Sequence, residues 1–434
     1  MTEQMNVPKL RFSEFEGEWK PIQSGVLFPK IRNGFVGTAT PYYSNQDEGI
    51  KYLQGKNVKN NAINETGLIY VNQQFHAKNA KSQLQEDDVV MVQSGHVGEC
   101  ARITKELVNT NCHALLVASP NKAVVNSDFA VYYYYSPLGK ALIHKITTGN
   151  TIKHILGSDL KELNIGTPTL PEQQKLASFL SKVDEKIGLL TEKKDKLTEY
   201  KKGVMQQLFN GKFGYVDGEE NGQLTFIPPT LRFKADDGSE FADWEEKTLG
   251  DYYQNLSTGM TPSRKVVEYF SGENLWITSG ELNYGLVKDS KEKITQKAIK
   301  DTSLKIYPAG TFFIAITGLE APGTRGRCAI NAIPATTNQS CMAFVELESI
   351  DTNFLSYWYK YHSEALYCKY AQGTKQQSFN NKLIERIPIV LPSKTEQTKI
   401  ANFLSAIDQK IDLANSELDK AKEWKKGLLQ QMFV

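Results

Sequence analysis

Two stretches of this chain are nearly the same helix. EQQKLASFLSKVDEKI begins at Glu172 and EQTKIANFLSAIDQKI begins at Glu396, a step of 224 residues. The same step carries Phe179 onto Phe403, Asp184 onto Asp408, Ile187 onto Ile411, and Lys201-Lys202-Gly203 onto Lys425-Lys426-Gly427. It ends with Gln206-Gln207 on Gln430-Gln431 and Phe209 on Phe433. Upstream, Gly149 and Pro168 fall on Gly373 and Pro392. LRF at Leu10 recurs at Leu231, each followed by a tryptophan, Trp19 and Trp244. GECA at Gly98 echoes GRCA at Gly326, and NSDF ending at Phe129 echoes DTNF ending at Phe354. A duplication of this length means two copies of one supersecondary plan. Between the anchors the halves differ strongly, so they share a scaffold and vary the surface they present.

The plan runs in the same order twice. A short LRF segment comes first. Strand-like apolar runs with Gly, Pro and Asn punctuation follow, among them DDVVMVQSG and GTFFIAITG. Helices are expected around FAVYYYYSPLGKALIHKI and FLSYWYKYHSEALYCKY, and a long helix ends each half. Thr169 to Glu172 and Ser393 to Glu396 fit an S/T-x-x-E capping box at the long helix's start. Heptads follow. Leu176, Val183, Leu190, Leu197 and Val204 form one line in the first helix, with Leu180, Ile187 and Leu208 beside them. Ile400, Ile407, Ala414, Ala421 and Leu428 form one line in the second, with Leu404, Ile411, Leu418 and Met432 beside them. This is a coiled-coil seam. Lys194, Lys201 and Lys425 interrupt it, weakening the packing there or leaving those ends to a partner. Antiparallel pairing of the two helices is expected, because parallel pairing would crowd both globular regions at one end. The predicted fold class is α+β: two mixed units related by pseudo-twofold symmetry, separated by an antiparallel coiled coil of two long helices.

Composition bounds this reading. The 434 residues exceed one ordinary core, and 40% hydrophobic with 23% charged residues suits a soluble globular chain. No apolar run reaches the roughly 18 residues of a membrane span. The polar N-terminus, MTEQMNVPKLRF, lacks a signal-peptide pattern, so a cytoplasmic location is the expectation. Five scattered cysteines without a CxxC pair read as buried thiols, and the six histidines have no metal spacing, so no metal is expected. A net charge of +2 permits nucleic-acid binding only if positive charge is segregated.

The ordered set of LRF-Trp, STGMTPSRK at Ser257, GTKQQSFNNKLIERIPIVLPSKTEQ at Gly373 and the doubled EQ-x-K-[LI]-A-x-FLS helix resembles the specificity subunit of type I restriction–modification enzymes. The resemblance covers essentially the whole chain. It implies a first target recognition domain with its leading segment at 1–168, a spacer helix at 169–210 and a linker at 211–228. A second recognition domain at 229–392 and a second spacer helix at 393–434 follow. It implies a non-catalytic subunit of a restriction endonuclease and adenine methyltransferase complex in phage defence. Each domain would read one half of a split double-stranded DNA target. Two methyltransferase subunits and restriction/translocase subunits are the implied partners, with S-adenosylmethionine, ATP and Mg belonging to them and no cofactor to this chain. The first domain departs from the pattern in carrying PKIRNGFVG where the second has GMTPSRK. A helix of about 38 residues is roughly 57 Å long, enough to set readers about one DNA turn, roughly 34 Å, apart.

Base edges are matched by Arg, Asn and Gln, and phosphates by Lys, Arg, Ser, Thr and backbone N–H. Loops that combine both kinds are the candidates. In the first half these are Lys30, Arg32 and Asn33; Gln54, Lys56 and Asn57; Gln93, Ser94 and His96; and Thr148, Asn150, Thr151 and Lys153. In the second they are Thr258, Thr261, Ser263 and Arg264; Thr278 and Ser279; Thr317; Thr324, Arg325 and Arg327; and Thr374, Lys375, Gln376 and Gln377. A plain turn is the alternative for any one of them. Tyr132 to Tyr135 and Tyr357-Trp358-Tyr359 could stack on bases, but their matched helical placement favours the core.

Motifs for chemistry are missing. No G-x-x-x-x-G-K-[ST] loop, Asn-Pro-Pro-Tyr-type stretch, nuclease cluster or Gly-rich dinucleotide turn is present. A self-contained enzyme with a disguised site predicts turnover by the chain alone. A duplicated-domain protein–protein scaffold predicts no sequence-dependent DNA affinity.

Overall fold

The computed structural model describes residues 6–215, 224–254, 256–321 and 323–434. They divide into two compact units. The first comprises Met1–Glu192 with Ala414–Val434, and the second comprises Lys193–Leu413. The main helices are α1 (Ser127–Tyr135), α2 (Pro137–Ile146), α3 (Leu170–Phe209), α4 (Thr352–Tyr370) and α5 (Lys394–Gln431).

The first unit is built on an antiparallel sheet of β1 (Lys30–Asn33), β2 (Val89–Val92), β3 (Cys100–Arg102) and β4 (Leu115–Ser119), in the order β1-β4-β2-β3. Side chains of a strand alternate between its faces, and here both faces are covered. Val89 and Met91 join the core around Phe129 and Tyr133, while Val90 and Val92 join a second core with Ala101, Leu115 and Val117. That is why β2 reads as an unbroken apolar run. A smaller sheet pairs Ile50–Leu53 in parallel with Asn111–Cys112 and antiparallel with Ile69–Val71.

The second unit repeats this plan with β5 (Ser257–Thr258), β6 (Leu286–Val287), β7 (Phe312–Ala315), β8 (Cys328–Asn331) and β9 (Cys341–Phe344), in the order β5-β9-β7-β8-β6. Phe312 and Ile314 face the α4 core, whereas Phe313 and Ala315 face a separate one. Asn274–Ile277 pairs in parallel with Ala335–Thr337, matching the smaller sheet of the first unit. One difference is local. The helix expected over Phe129 to Ile146 is two helices, because Pro137 has no N–H to continue the ladder and Ser136 caps a new start by accepting from the Gly139 N–H. Its counterpart α4 has no proline and runs unbroken. Tyr132 to Tyr134 of α1 and Tyr357 to Tyr359 of α4 are buried, as their helical placement suggested, and Tyr135 is half-buried. Burial also pushes the Cys328 thiol up to about 11, in keeping with a packing role.

The repeated motifs meet in a buried clamp. Arg11 donates to both carboxylate oxygens of Glu172 at 2.7 and 2.8 Å, and the Trp19 indole N–H donates to the same carboxylate at 3.2 Å. Arg232 reaches Glu396 at 3.2 and 2.8 Å, joined by Trp244 at 3.2 Å. Phe12 packs edge-on against Phe179, and Phe233 against Phe403. The neighbouring glutamines are equally committed. Gln173 donates to Val124 and Pro168 carbonyls and accepts from the Asn126 N–H. Gln397 does the same with Ser349, Pro392 and Asp351. The capping-box reading of these glutamates is therefore corrected. The Glu396 N–H does approach Ser393 Oγ, at 3.4 Å, but both carboxylates turn away from the helix start to the LRF arginine.

In the first unit the start of α3 packs against the end of α5 with opposed direction. Val434 lies beside Gly166, just before α3, while Lys425 reaches Asp184 further along it. In the second unit the Gln207 carbonyl accepts from the Leu231 N–H next to the Arg232–Glu396 pair, while Lys201 reaches Asp408. Leu176, Leu180 and Val183 are buried in the first unit and Val204, Ile400, Leu404 and Ile407 in the second; Leu418 and Leu428 are buried too, and Ile187, Leu190, Leu197 and Ile411 partly so. Lys201 and Lys425 do not weaken the seam. Each pairs with its aspartate at 2.5 Å, and each aspartate also accepts from a tyrosine hydroxyl, Tyr357 at 2.7 Å and Tyr132 at 2.8 Å. Burial, reinforced by the aspartate, pushes both hydroxyls above the ordinary tyrosine range, so they stay protonated donors. The stretch read as a linker forms a hairpin at its flanks, Lys212–Tyr215 against Leu224–Ile227; its residues 216–223 lie outside the described residues.

Removing one partner of a buried ion pair leaves the other charge unmet and costs about 3 kcal/mol or more. Glu396→Gln should lower the second unit's unfolding free energy by about that amount in chemical denaturation. Arg232→Met combined with Glu396→Leu should cost less than the two single losses summed. Additive losses would show that the pair is not coupled.

Candidate nucleic-acid interface

In the first unit the candidate loops are sewn together by backbone. The Gly95 N–H donates to the Lys153 carbonyl and the Ile155 N–H to the Gln93 carbonyl, while Ser94 and His154 form a bridge. The Ser94 hydroxyl also bonds His154 Nδ1 at 2.6 Å. In the second unit the Leu319 N–H donates to the Gln377 carbonyl and the Phe379 N–H to the Ile316 carbonyl, with Thr317 bridged to Ser378. These are equivalent joints between the loop after the main sheet's central strand and the loop after the helix. Gly149 has φ of +94° and Gly373 of +111°, in the left-handed region. A Cβ on Gly149 would lie 2.2 Å from the Ile152 carbonyl oxygen, and one on Gly373 would lie 2.2 Å from that of Gln376. Only glycine closes this turn. Its tip then presents Asn150, Thr151 and Lys153 in one unit, and Thr374, Lys375 and Gln376 in the other, all exposed.

The mismatch between PKIRNGFVG and GMTPSRK resolves in three dimensions. β1 and β5 are the edge strands of equivalent sheets, each followed by a glycine, Gly34 or Gly259. A Cβ on Gly34 would meet Cys112 at 2.6 Å, and one on Gly259 would meet the Thr337 carbonyl oxygen at 1.6 Å. The backbone constraint is shared although the side chains are not. Lys30, Asn33 and Lys56 are exposed at this side of the first unit, as are Thr261, Ser263 and Arg264 of the second.

Several nominated side chains have structural work instead. Asn57 is 1% exposed and caps the turn that begins at Gln54, just as Thr278 shares a capping box with Glu281 before Ser279. Gln93 is buried. Arg32 donates to Asp88, Ser119 and the Lys81 and Gln83 carbonyls, which ties β1 to β4 and engages all three of its guanidinium nitrogens. Arg325 donates to the Leu319 carbonyl and Glu364 and lies 3.7 Å over the Tyr367 ring. Arg327 and Thr324 bond carbonyls of their own loop. Arg264 forks onto Glu292 above Phe270, and holds that carboxylate below its usual range. Thr258 lies in β5 and Thr148 borders its loop's bridge to His154. Glu320, which accepts from the Gln377 N–H at 2.9 Å, was not foreseen; no sequence signal marks a surface glutamate as a loop brace.

The comparisons with known proteins agree with this geometry. The family model for the type I restriction modification DNA specificity domain matches residues 17–199 and 242–423. The chain is 24% identical over 99% of its length to the putative type I restriction enzyme MjaX specificity subunit of Methanocaldococcus jannaschii, covering 96% of that protein. It is 32% identical to that organism's MjaIX specificity subunit, over 39% of each chain. Among solved structures, the S subunit of the type I restriction–modification system from M. genitalium shares the fold, with a TM-score of 0.58 over 99% of both chains at 18% identity. A second chain, from a study of complex assembly and conformational transition in the type I R-M system, matches at a TM-score of 0.55, covering 96% of this chain and 98% of its own. With its two matched regions and its doubled scaffold, the chain belongs to the family of type I restriction–modification specificity subunits.

Proposed function

We propose that this chain reads a bipartite double-stranded DNA target, one half-site per unit, for a type I restriction–modification complex. It docks two methyltransferase subunits and the restriction/translocase subunits, which supply S-adenosylmethionine, ATP and Mg, and performs no chemistry itself. The observation that carries this reading is the pair of glycine turns at Gly149 and Gly373. Their backbones are fixed alike, yet the exposed tips differ, Asn-Thr-Ile-Lys against Thr-Lys-Gln-Gln. One frame with interchangeable polar side chains is what two readers of unlike sequence need, since base edges are distinguished by donors and acceptors alone. A protein–protein scaffold has no use for that polarity at both tips.

Methylome sequencing of cells that express the chain with its methyltransferase should give a motif of two short blocks around a fixed gap, lost when this chain is deleted. A motif that survives deletion would favour the scaffold. Exchange of residues 229–392 for those of another family member should change one block only; change in both would end modular reading. Lys375→Ala should weaken binding to every duplex and lower the slope of log K against log salt by about 0.9, whereas an unchanged slope would remove Lys375 from the contact set.

A further inference from the structure

The first unit holds an open cleft of about 370 Å³ beside its sewn loops, between the turn at Gly95 to Glu99 and α2. Lys140, His144, Lys153 and His96 line it, with Glu99 as the acidic member. Glu99 is already engaged, because its carboxylate accepts from the Tyr135 hydroxyl at 2.8 Å and the Asn60 N–H at 2.7 Å. Lys140 and Lys153 are exposed and form no ion pair among the described residues. Two ammonium groups outside any ion pair among the described residues, one of them (Lys140) 5.9 Å over the Tyr135 ring, and two imidazoles therefore border one concavity. Glu99 keeps its negative charge, and one of its oxygens is taken up by two neutral donors.

The second unit answers the same position differently. The helix positions 224 residues beyond Lys140 and Ile143 are Glu364 and Tyr367, and the residue before Gly326 is Arg325, as Val97 precedes Gly98. Arg325 lies across Tyr367 and pairs with Glu364 at 2.6 Å. Where the first unit leaves Lys140 outside any ion pair among the described residues, the second sets an exposed ion pair between Arg325 and Glu364.

Resting on the DNA reading above, we infer that the first unit's cleft takes a backbone phosphate of the bound duplex, with Lys140 and His144 joining Lys153 and His96 as its ligands. The duplicated scaffold has kept this anchor in one unit only. A phosphodiester fits because its charge is the complement of the lining, and because Lys153 and His96 belong to the loops that would meet the same strand. Lys140 and His144 lie on a helix flank without turn chemistry, so no sequence motif marks them.

The test uses the chain in complex with its methyltransferase, a mixed-sequence duplex as probe, and binding measured over a salt series. Lys140→Ala should lower the slope of log K against log salt by about 0.9, as expected for one lost phosphate contact, with the methylated motif unchanged. Lys140→Arg, which keeps the charge, should retain the slope. Both substitutions are at an exposed site and leave the core intact. An unchanged slope and affinity for Lys140→Ala overturns the cleft assignment while leaving the recognition loops in place. So does a fall that Lys140→Arg shares, because charge would not be the cause. A changed half-site in the motif assigns Lys140 to a base instead of a phosphate. An unsubstituted complex without salt-dependent affinity overturns the DNA reading, and the cleft with it.

Discussion

The buried arginine–carboxylate clamp is the contact on which each unit's assembly depends. A largely buried carboxylate is tolerated only when its oxygens are met by charged donors, and here both oxygens of each glutamate are. Arg11 satisfies Glu172, its remaining N–H groups reach the Glu16 and Gly17 carbonyls, and Trp19 supplies a further donor. The result ties three distant pieces of chain to one point. The leading segment is fixed to the start of one long helix through the ion pair, and to the end of the other through the Leu10 N–H and the Gln431 carbonyl. In the second unit Arg232, Leu231 and Gln207 make the same three-way joint. A motif dispersed over most of a half is thus a single interaction site.

That joint explains which parts of the fold were legible in the sequence. The doubled helix, the two-unit plan, the central apolar strands and the buried aromatic helices all follow from periodicity and repetition, and the structure contains them. The reasons behind the identities were less visible. Glu172 and Glu396 match a capping box in sequence because spacing alone cannot say whether a carboxylate turns to its own helix or across to another segment. Lys201 and Lys425 look like defects in a heptad because a one-dimensional pattern does not show Asp408 or Asp184 waiting beside them. The break at Ser136 was within reach, since Pro137 cannot continue a hydrogen-bond ladder.

The candidate interface was legible only as backbone. Glycines at Gly149 and Gly373 were visible by their shared offset, and they mark the two turns whose tips are exposed. Which polar side chains are free could not be read, because the residues that consume them are remote in sequence. Arg32 is spent on Asp88, Arg264 on Glu292 and Arg325 on Glu364. Residue type nominates a contact, but an ion-pair partner decides whether the side chain is available, and partner choice is a property of the folded chain.

The two units place their exposed cations differently. The first presents Lys30, Lys56, Lys153 and Lys140 as exposed ammonium groups. The second has turned Arg264 and Arg325 onto carboxylates and presents Lys265 and Lys375 with Thr374, Gln376, Thr261 and Ser263. Ammonium groups chiefly meet phosphates, hydroxyls meet phosphates as well as bases, and amides can read base edges. Within the proposed reading, each unit brings cations for phosphates together with amides and hydroxyls that serve bases and phosphates alike. A net charge of only +2 is compatible with DNA binding on those terms, because what matters is which cations are left unpaired at the reading face and not how many the chain contains.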